Sequence, residues 1–99
     1  EYLENNMEIK HKESDSRGMF YIEKENSLVA ELTYHKKGNV ITIDHTEVKR
    51  EMENQGIGSS LLKESVEFAR KNNLKIDPLC PFAEVKFDEN PEYSDVRVS

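Results

Sequence analysis

Hydrophobic residues in the first half of the chain recur at every second position, in short runs separated by residues that favour turns. A period of two is typical of β-strands with one buried face. The short connections between the runs favour an antiparallel meander. The pattern therefore predicts four strands, placed at about residues 7–11, 19–23, 28–35 and 40–48.

The hydrophobic period changes at Ile57. From this residue the apolar positions follow a spacing of three or four, which places them on one face of a helix ending near Asn72. A brief apolar strand follows at residues 74–76, and Pro81 suits the first position of a second, shorter helix that Asn90 would end. The order of elements predicts an α/β (α+β) fold with one mixed sheet.

Length and composition limit the possible classes of protein. The chain has 99 residues, of which 35% are hydrophobic and 34% charged, enough for one small domain at residues 7–99 after a polar tail at residues 1–6. The net charge of −6 disfavours nucleic acid or an anionic membrane as the main partner. The single cysteine, Cys80, cannot build an internal disulfide, which fits a reducing cytoplasm; we also expect a monomer.

The sequence Gln55-Gly56-Ile57-Gly58 joins the fourth predicted strand to the helix. Without Cβ atoms at Gly56 and Gly58 the backbone can approach a ligand closely, and free amides at a helix start bind phosphate groups. The turn is therefore a candidate site for a pyrophosphate. The alternative is a plain connection between strand and helix that binds nothing.

Four motifs follow one another along the chain: His45-Thr46-Glu47-Val48, Gln55-Gly56-Ile57-Gly58, Pro78-Leu79-Cys80-Pro81-Phe82-Ala83 and Pro91-Glu92-Tyr93. Together they resemble the small, single-domain branch of the GCN5-related N-acetyltransferases, over roughly residues 7–96. Four motifs in the right order are more specific than any one of them. The resemblance implies a domain that binds acetyl-CoA and acetylates an amine.

In that family, the strand before the glycine turn diverges from the next parallel strand, and its free main-chain groups pair with the pantetheine arm of coenzyme A. The resemblance places this role on the main chain of Glu47 and Val48. Glu53 departs from the family pattern, which has Arg or Gln there; its carboxylate would repel a pyrophosphate unless it points into solvent. The amides expected to bind the pyrophosphate run through the turn: Asn54, Gln55, Gly56, Ile57, Gly58 and Ser59.

The resemblance leaves the general acid unassigned. Family members carry a tyrosine in the helix after the last parallel strand, where it protonates the departing thiolate. The corresponding turn here holds Lys86 and Phe87, neither of which supplies a phenol. Tyr93 is the nearest downstream candidate, and its alternative role is packing.

Cys80 and His45 are two further catalytic candidates. Cys80 would cap the helix that begins at Pro81, where the helix dipole favours a thiolate able to accept the acetyl group; a buried core cysteine is the alternative. His45 shares a strand face with Ile41 and Ile43, so we expect it to point inward as a base for the amine, or to be a hydrogen-bonded structural histidine. No histidine has metal-ligand spacing with Cys80, so no metal site is predicted.

Two function classes follow from these observations. The first is transfer of an acetyl group from acetyl-CoA to an unidentified amine, for which the acidic composition favours a cationic acceptor. The second is an acyl-CoA-binding or interaction module with little or no turnover. The missing tyrosine favours the binding module, whereas Cys80 and His45 favour the enzyme.

Overall fold

The computed structural model describes residues 7–98, so the predicted tail at residues 1–6 lies outside the described part. Within it, the five strands form one sheet in the order β1-β2-β3-β4-β5. This arrangement confirms the predicted mixed α+β fold. The elements are β1 (Lys10–Ser14), β2 (Arg17–Lys24), β3 (Ser27–Lys37), β4 (Val40–Val48), α1 (Ile57–Lys71), β5 (Lys75–Pro78) and α2 (Pro81–Glu89), with 3₁₀ turns at Arg50–Met52 and Pro91–Val96.

Tight turns connect the first four strands into an antiparallel meander, as predicted. Glu25 and Asn26, between β2 and β3, both have positive φ, at 53° and 65°. This conformation matches the right-handed twist of the strands that a two-residue turn joins. Gly38 has φ 61° in the next turn, where a residue without Cβ carries little strain.

Helix α1 covers one face of the sheet. The ring of Phe68 on α1 meets Phe20 on β2 and Tyr34 on β3, at centroid distances of 5.7 and 6.2 Å. Leu61 and Val66 on the same helix are fully buried. Each such side chain contributes about 1.5–3 kcal/mol when it leaves water, so this face holds helix and sheet together. No helix in the described part is long and apolar enough to cross a membrane.

A β-bulge in β4 changes which residues face α1. Thr33 on β3 pairs with His45 but Tyr34 pairs with Ile43, which leaves Asp44 as an extra residue on β4. Ile43 is buried, whereas His45 is exposed. The prediction that His45 points inward with Ile43 is therefore wrong, because the extra residue moves every later side chain of β4 to the other face.

The end of the described chain returns to the sheet. Arg97 forms an isolated parallel bridge with Ile76 on β5. The amide of Val98 donates a hydrogen bond to the Ile76 carbonyl at 2.9 Å. These contacts cover part of the edge of β5 that faces away from β4.

Candidate functional site

β4 and β5 pair over only a short stretch and then separate. Their parallel register runs from Val40 opposite Lys75 to Ile43 opposite Pro78. A last hydrogen bond joins the Cys80 amide to the Ile43 carbonyl at 2.9 Å. Beyond Ile43, no strand in the described part pairs with β4 on this side, so a gap opens between the ends of the two strands.

The register with β3 identifies the main-chain groups of β4 that face this gap. The Lys49 amide donates to the Val29 carbonyl on β3 at 2.9 Å. Because alternate residues of an antiparallel strand share this direction, the main chain of Glu47 also faces β3. The main-chain groups of Thr46 and Val48 face the gap. Of the two residues predicted to pair with a ligand here, Val48 has the required direction and Glu47 does not.

Sequence reasoning missed Thr46. The bulge at Asp44 is responsible, since it moves the gap-facing groups from odd-numbered to even-numbered residues. One signal was available in the sequence. In an unbroken strand, apolar residues on one face are separated by an even number of positions. Ile43 and Val48 are five positions apart, which indicates an interruption between them.

Hydrogen bonds hold Asp44 at the bulge. The Thr33 hydroxyl donates to its carboxylate at 2.7 Å, Arg17 donates at 3.2 Å, and His35 Nδ1 lies 3.4 Å away. Burial alone would raise the pKa of Asp44, but these hydrogen bonds outweigh it and lower the pKa below its usual range. The charged form of Asp44 thus stabilises the irregular stretch of β4 beside the gap.

The turn before α1 presents backbone amides at the end of β4. Asn54 and Gly56 have positive φ, at 65° and 72°. Gly56 is the N-cap residue, and no side chain caps the helix. The amides of Ile57, Gly58 and Ser59 therefore have no acceptor within α1, and the positive end of the helix dipole lies beside them. This arrangement suits an anionic group.

The two glycines of the turn have different structural roles. A Cβ atom on Gly56 would meet no heavy atom within 4 Å, so the backbone there is open to a ligand. A Cβ atom on Gly58 would lie 2.8 Å from Cζ of Phe82, so Gly58 permits close packing of α1 against α2. The expected open approach therefore exists at Gly56 but not on the Cα side of Gly58. Glu53 and Gln55 are both exposed at this turn.

Cys80 lies at the gap as the N-cap residue of α2. Pro81 occupies the first turn of the helix, in agreement with the sequence analysis. The side chain is only 6% exposed. Its thiol donates a hydrogen bond to Oγ1 of Thr46 at 3.6 Å. Cys80 and Thr46 thus bring two polar side chains together where β4 and β5 separate.

His45 lies on the opposite face of β4. Its Nε2 atom is 3.5 Å from Oε2 of Glu31 and 3.3 Å from Oε1 of Glu47. Neighbouring residues of a strand point to opposite faces, so His45 and Thr46 point away from each other. The structure therefore does not bring His45 and Cys80 together on one face.

Tyr93 lies at the end of α2 that is farther from Cys80. Its ring meets Phe87 edge-on at a centroid distance of 5.9 Å. Cys80 and Phe87 are separated by about 10 Å along the helix axis. Tyr93 also lines a groove of about 310 Å³ with Ser59 and Asn90. This groove places Tyr93 beside Ser59 in the first turn of α1.

Comparison with known proteins identifies the family of this chain. Residues 19–96 match the model of a family described as GCN5-related N-acetyl-transferase. The chain belongs to the GCN5-related N-acetyltransferase family. A GCN5-like protein from Staphylococcus aureus, solved by NMR, is 42% identical, with a TM-score of 0.71 and coverage of 91% of this chain and 88% of that one. A comparison with curated protein sequences gives no match.

Two larger proteins share the fold at lower sequence identity. The PaiA N-acetyltransferase from Thermoplasma acidophilum, solved with coenzyme A, is 17% identical over 60% of this chain and 37% of its own, with a TM-score of 0.54. An acetyltransferase from Elizabethkingia anophelis, solved with acetyl-CoA bound, is 22% identical over 62% and 41% respectively, also with a TM-score of 0.54. The present chain thus spans less than half of either protein.

Proposed function

We propose that this protein binds acetyl-CoA and transfers its acetyl group to an amine. The observation that carries the proposal is the gap between β4 and β5, with unpaired main-chain groups of Thr46 and Val48 beside the amide-rich turn. Membership of the family supplies the chemistry. Two relatives of the same fold were solved with coenzyme A or acetyl-CoA, which supports the same ligand here.

The ligand has parts that suit both halves of the site. The pantetheine arm carries amide groups, which would pair with the main chain of Thr46 and Val48 in the way that an added strand does. The pyrophosphate would accept hydrogen bonds from amides between Asn54 and Ser59, at the positive end of α1. The thioester would then lie in the gap near Cys80.

In this proposal the two substrates reach the gap from opposite faces of the sheet. Coenzyme A would enter from the turn before α1, and the amine would approach from the face that carries His45. A neutral His45 would accept a proton from the amine, whose nitrogen attacks the thioester carbonyl. The C–S bond then breaks, and the coenzyme leaves as a thiolate that takes up a proton.

Cys80 offers a second route for the same overall reaction. Its thiolate would attack the acetyl-CoA carbonyl, form an acetyl thioester on the protein and release coenzyme A. The amine would then attack this thioester and release the Cys80 thiol. The burial of Cys80 favours direct transfer, because a buried thiol is less readily attacked or ionised. Tyr93 would then act in packing, unless it protonates the coenzyme thiolate.

The alternative function is a binding module without turnover. It is favoured by the burial of Cys80 and by the position of Tyr93, which leaves no phenol beside the cap of α2 among the described residues. The two functions share the ligand and differ in the fate of the acetyl group. One experiment can therefore separate them.

That experiment combines intact-protein mass spectrometry with measurement of free coenzyme A after incubation with acetyl-CoA and a panel of amines, cationic ones included. Direct transfer predicts release of coenzyme A that depends on the amine and no acetyl adduct. The route through Cys80 predicts an added acetyl mass that Cys80→Ser abolishes. If acetyl-CoA binds saturably but coenzyme A is released no faster than in buffer alone, the protein is a binding module and not an enzyme.

A further inference from the structure

Three side chains capable of binding metal ions meet on the sheet face opposite α1. Glu31 on β3 lies directly across from Glu47 on β4. His45 is two residues before Glu47 and so projects from the same face. One ligand atom from each of the three lies within 4.8 Å of the other two. We call these residues the Glu31–His45–Glu47 cluster.

The distances in the cluster match the spacing of ligands around one metal ion. Nε2 of His45 lies 3.5 Å from the Glu31 carboxylate and 3.3 Å from that of Glu47. Two ligands of Zn²⁺, each bound at about 2.1 Å, are separated by roughly 3.0 Å at a right angle and roughly 3.4 Å at a tetrahedral angle. The two distances from Nε2 of His45 fit a shared ion, and the carboxylate oxygens of Glu31 and Glu47, which lie within 4.8 Å of each other, can close around it by side-chain rotation.

The charges of the cluster also favour a cation. Among the residues that the structure describes, the ion pairs of lysine and arginine involve other carboxylates, and none reaches Glu31 or Glu47. Two carboxylates thus face each other across the strands, and Lys49, which lines the same groove as Glu31 and Glu47, forms an ion pair with neither. A divalent ion would neutralise both carboxylates and bind the neutral ring through its lone pair.

The strands hold the three side chains in place, and their donor atoms favour a transition-metal ion. All three residues project from paired strands, so the sheet fixes the separation of their Cβ atoms and less ordering is needed on binding. A set of one imidazole and two carboxylates suits Zn²⁺ and similar transition metals, whereas Mg²⁺ and Ca²⁺ prefer oxygen alone. The Glu47 side chain is 68% exposed, which leaves the remaining coordination positions to water.

We propose that the Glu31–His45–Glu47 cluster binds one divalent transition-metal ion. Sequence spacing did not indicate this site, because Glu31 comes from a different strand and the register of β3 with β4 brings it into place. A coordinated ring nitrogen has no lone pair left for a proton. A bound ion would therefore prevent His45 from acting as a base, although the binding itself does not depend on acetyl transfer.

Calorimetric titration of the metal-free protein with Zn²⁺, in a buffer that does not bind zinc, tests the proposal. We expect one ion per chain, and at least a tenfold weaker affinity in each of Glu31→Gln and His45→Gln. His35→Gln is the matched control, since His35 lies on β3 and contacts Asp44 rather than the cluster. This control should change the affinity less than twofold.

NMR spectra of the unmodified protein give a second measurement that needs no variant. Saturating Zn²⁺ should shift the ring signals of His45 and the amide signals of Glu31 and Glu47, and leave those of His35 in place. The proposal is overturned by the absence of saturable binding, by unchanged affinity in a folded Glu31→Gln protein, or by zinc-induced shifts centred on another histidine.

Discussion

Positive φ at Gly56 is the residue-scale feature on which the proposed phosphate site most directly depends. Any side chain there is strained by the φ of 72°, and a β-branched one would also occupy the open space through which a ligand approaches the backbone. We expect Gly56→Val to weaken binding of coenzyme A at least tenfold, as measured by calorimetry.

Gly38→Val provides the control for this substitution. Gly38 has φ 61° and open space around it, but it lies in the turn between β3 and β4. Both variants should therefore lose similar stability through backbone strain, and only Gly56→Val should lose affinity. Equal affinity in the two variants would argue against the phosphate site.

Glu53 lies three residues before Gly56 and carries a charge that opposes a pyrophosphate. If its exposed carboxylate lies near the bound phosphates, Glu53→Gln should tighten coenzyme A binding several-fold, and more at low salt, where the repulsion is less screened. Glu51→Gln, in the preceding 3₁₀ turn, is the control for a general loss of negative charge. A salt-independent affinity unchanged by Glu53→Gln would place the carboxylate away from the phosphates.

At the scale of elements, the contact between α1 and α2 depends on Gly58. Alanine is the better helix former by about 1 kcal/mol, but its Cβ would overlap the end of the half-buried Phe82 ring, which must then move, at a cost of about 1–3 kcal/mol. We therefore expect Gly58→Ala to destabilise the protein in denaturant unfolding. In a Phe82→Leu background the same change should be neutral or stabilising, and an equal loss in both backgrounds would locate its cause outside this contact.

The elements themselves could largely be predicted from the sequence. β4 occupies residues 40–48 and α1 begins at Ile57, as the period of the apolar positions indicates. The direction of His45 could not be predicted in the same way, because one extra residue at Asp44 reverses the alternation. The meeting of Glu31 with His45 depends on the register between two strands. A local pattern in one strand contains no information about that register.

At the scale of the whole molecule, a partly buried chain of hydrogen bonds between β1 and β3 responds to pH. Tyr34 donates to Glu13 at 2.8 Å, and Nε2 of His11 lies 2.6 Å from the Tyr34 hydroxyl. The His11 ring stacks on Phe20 at 4.1 Å. Loss of water around this ring lowers the pKa of His11, despite the opposing charge of Glu13.

This shift makes the stability depend on pH in a defined direction. The unfolded chain takes up a proton at His11 more readily than the folded one, so the contribution of the neutral ring is complete above pH of about 6.5 and is lost as the pH falls below it. We expect the urea concentration at the unfolding midpoint to decrease as the pH is lowered from 7 to 5. The midpoint should depend less on pH in His11→Gln. An unchanged dependence on pH would assign the effect to other titratable groups.

The open edge of β4 beyond Ile43 also bears on how the protein behaves without its ligand. A strand with unpaired main-chain groups can also pair with a strand from another molecule. The same gap that admits the coenzyme is thus the part of the sheet most exposed to self-association. Bound coenzyme A would cover this edge. The ligand-free protein should therefore aggregate sooner than the complex, both in storage and on heating.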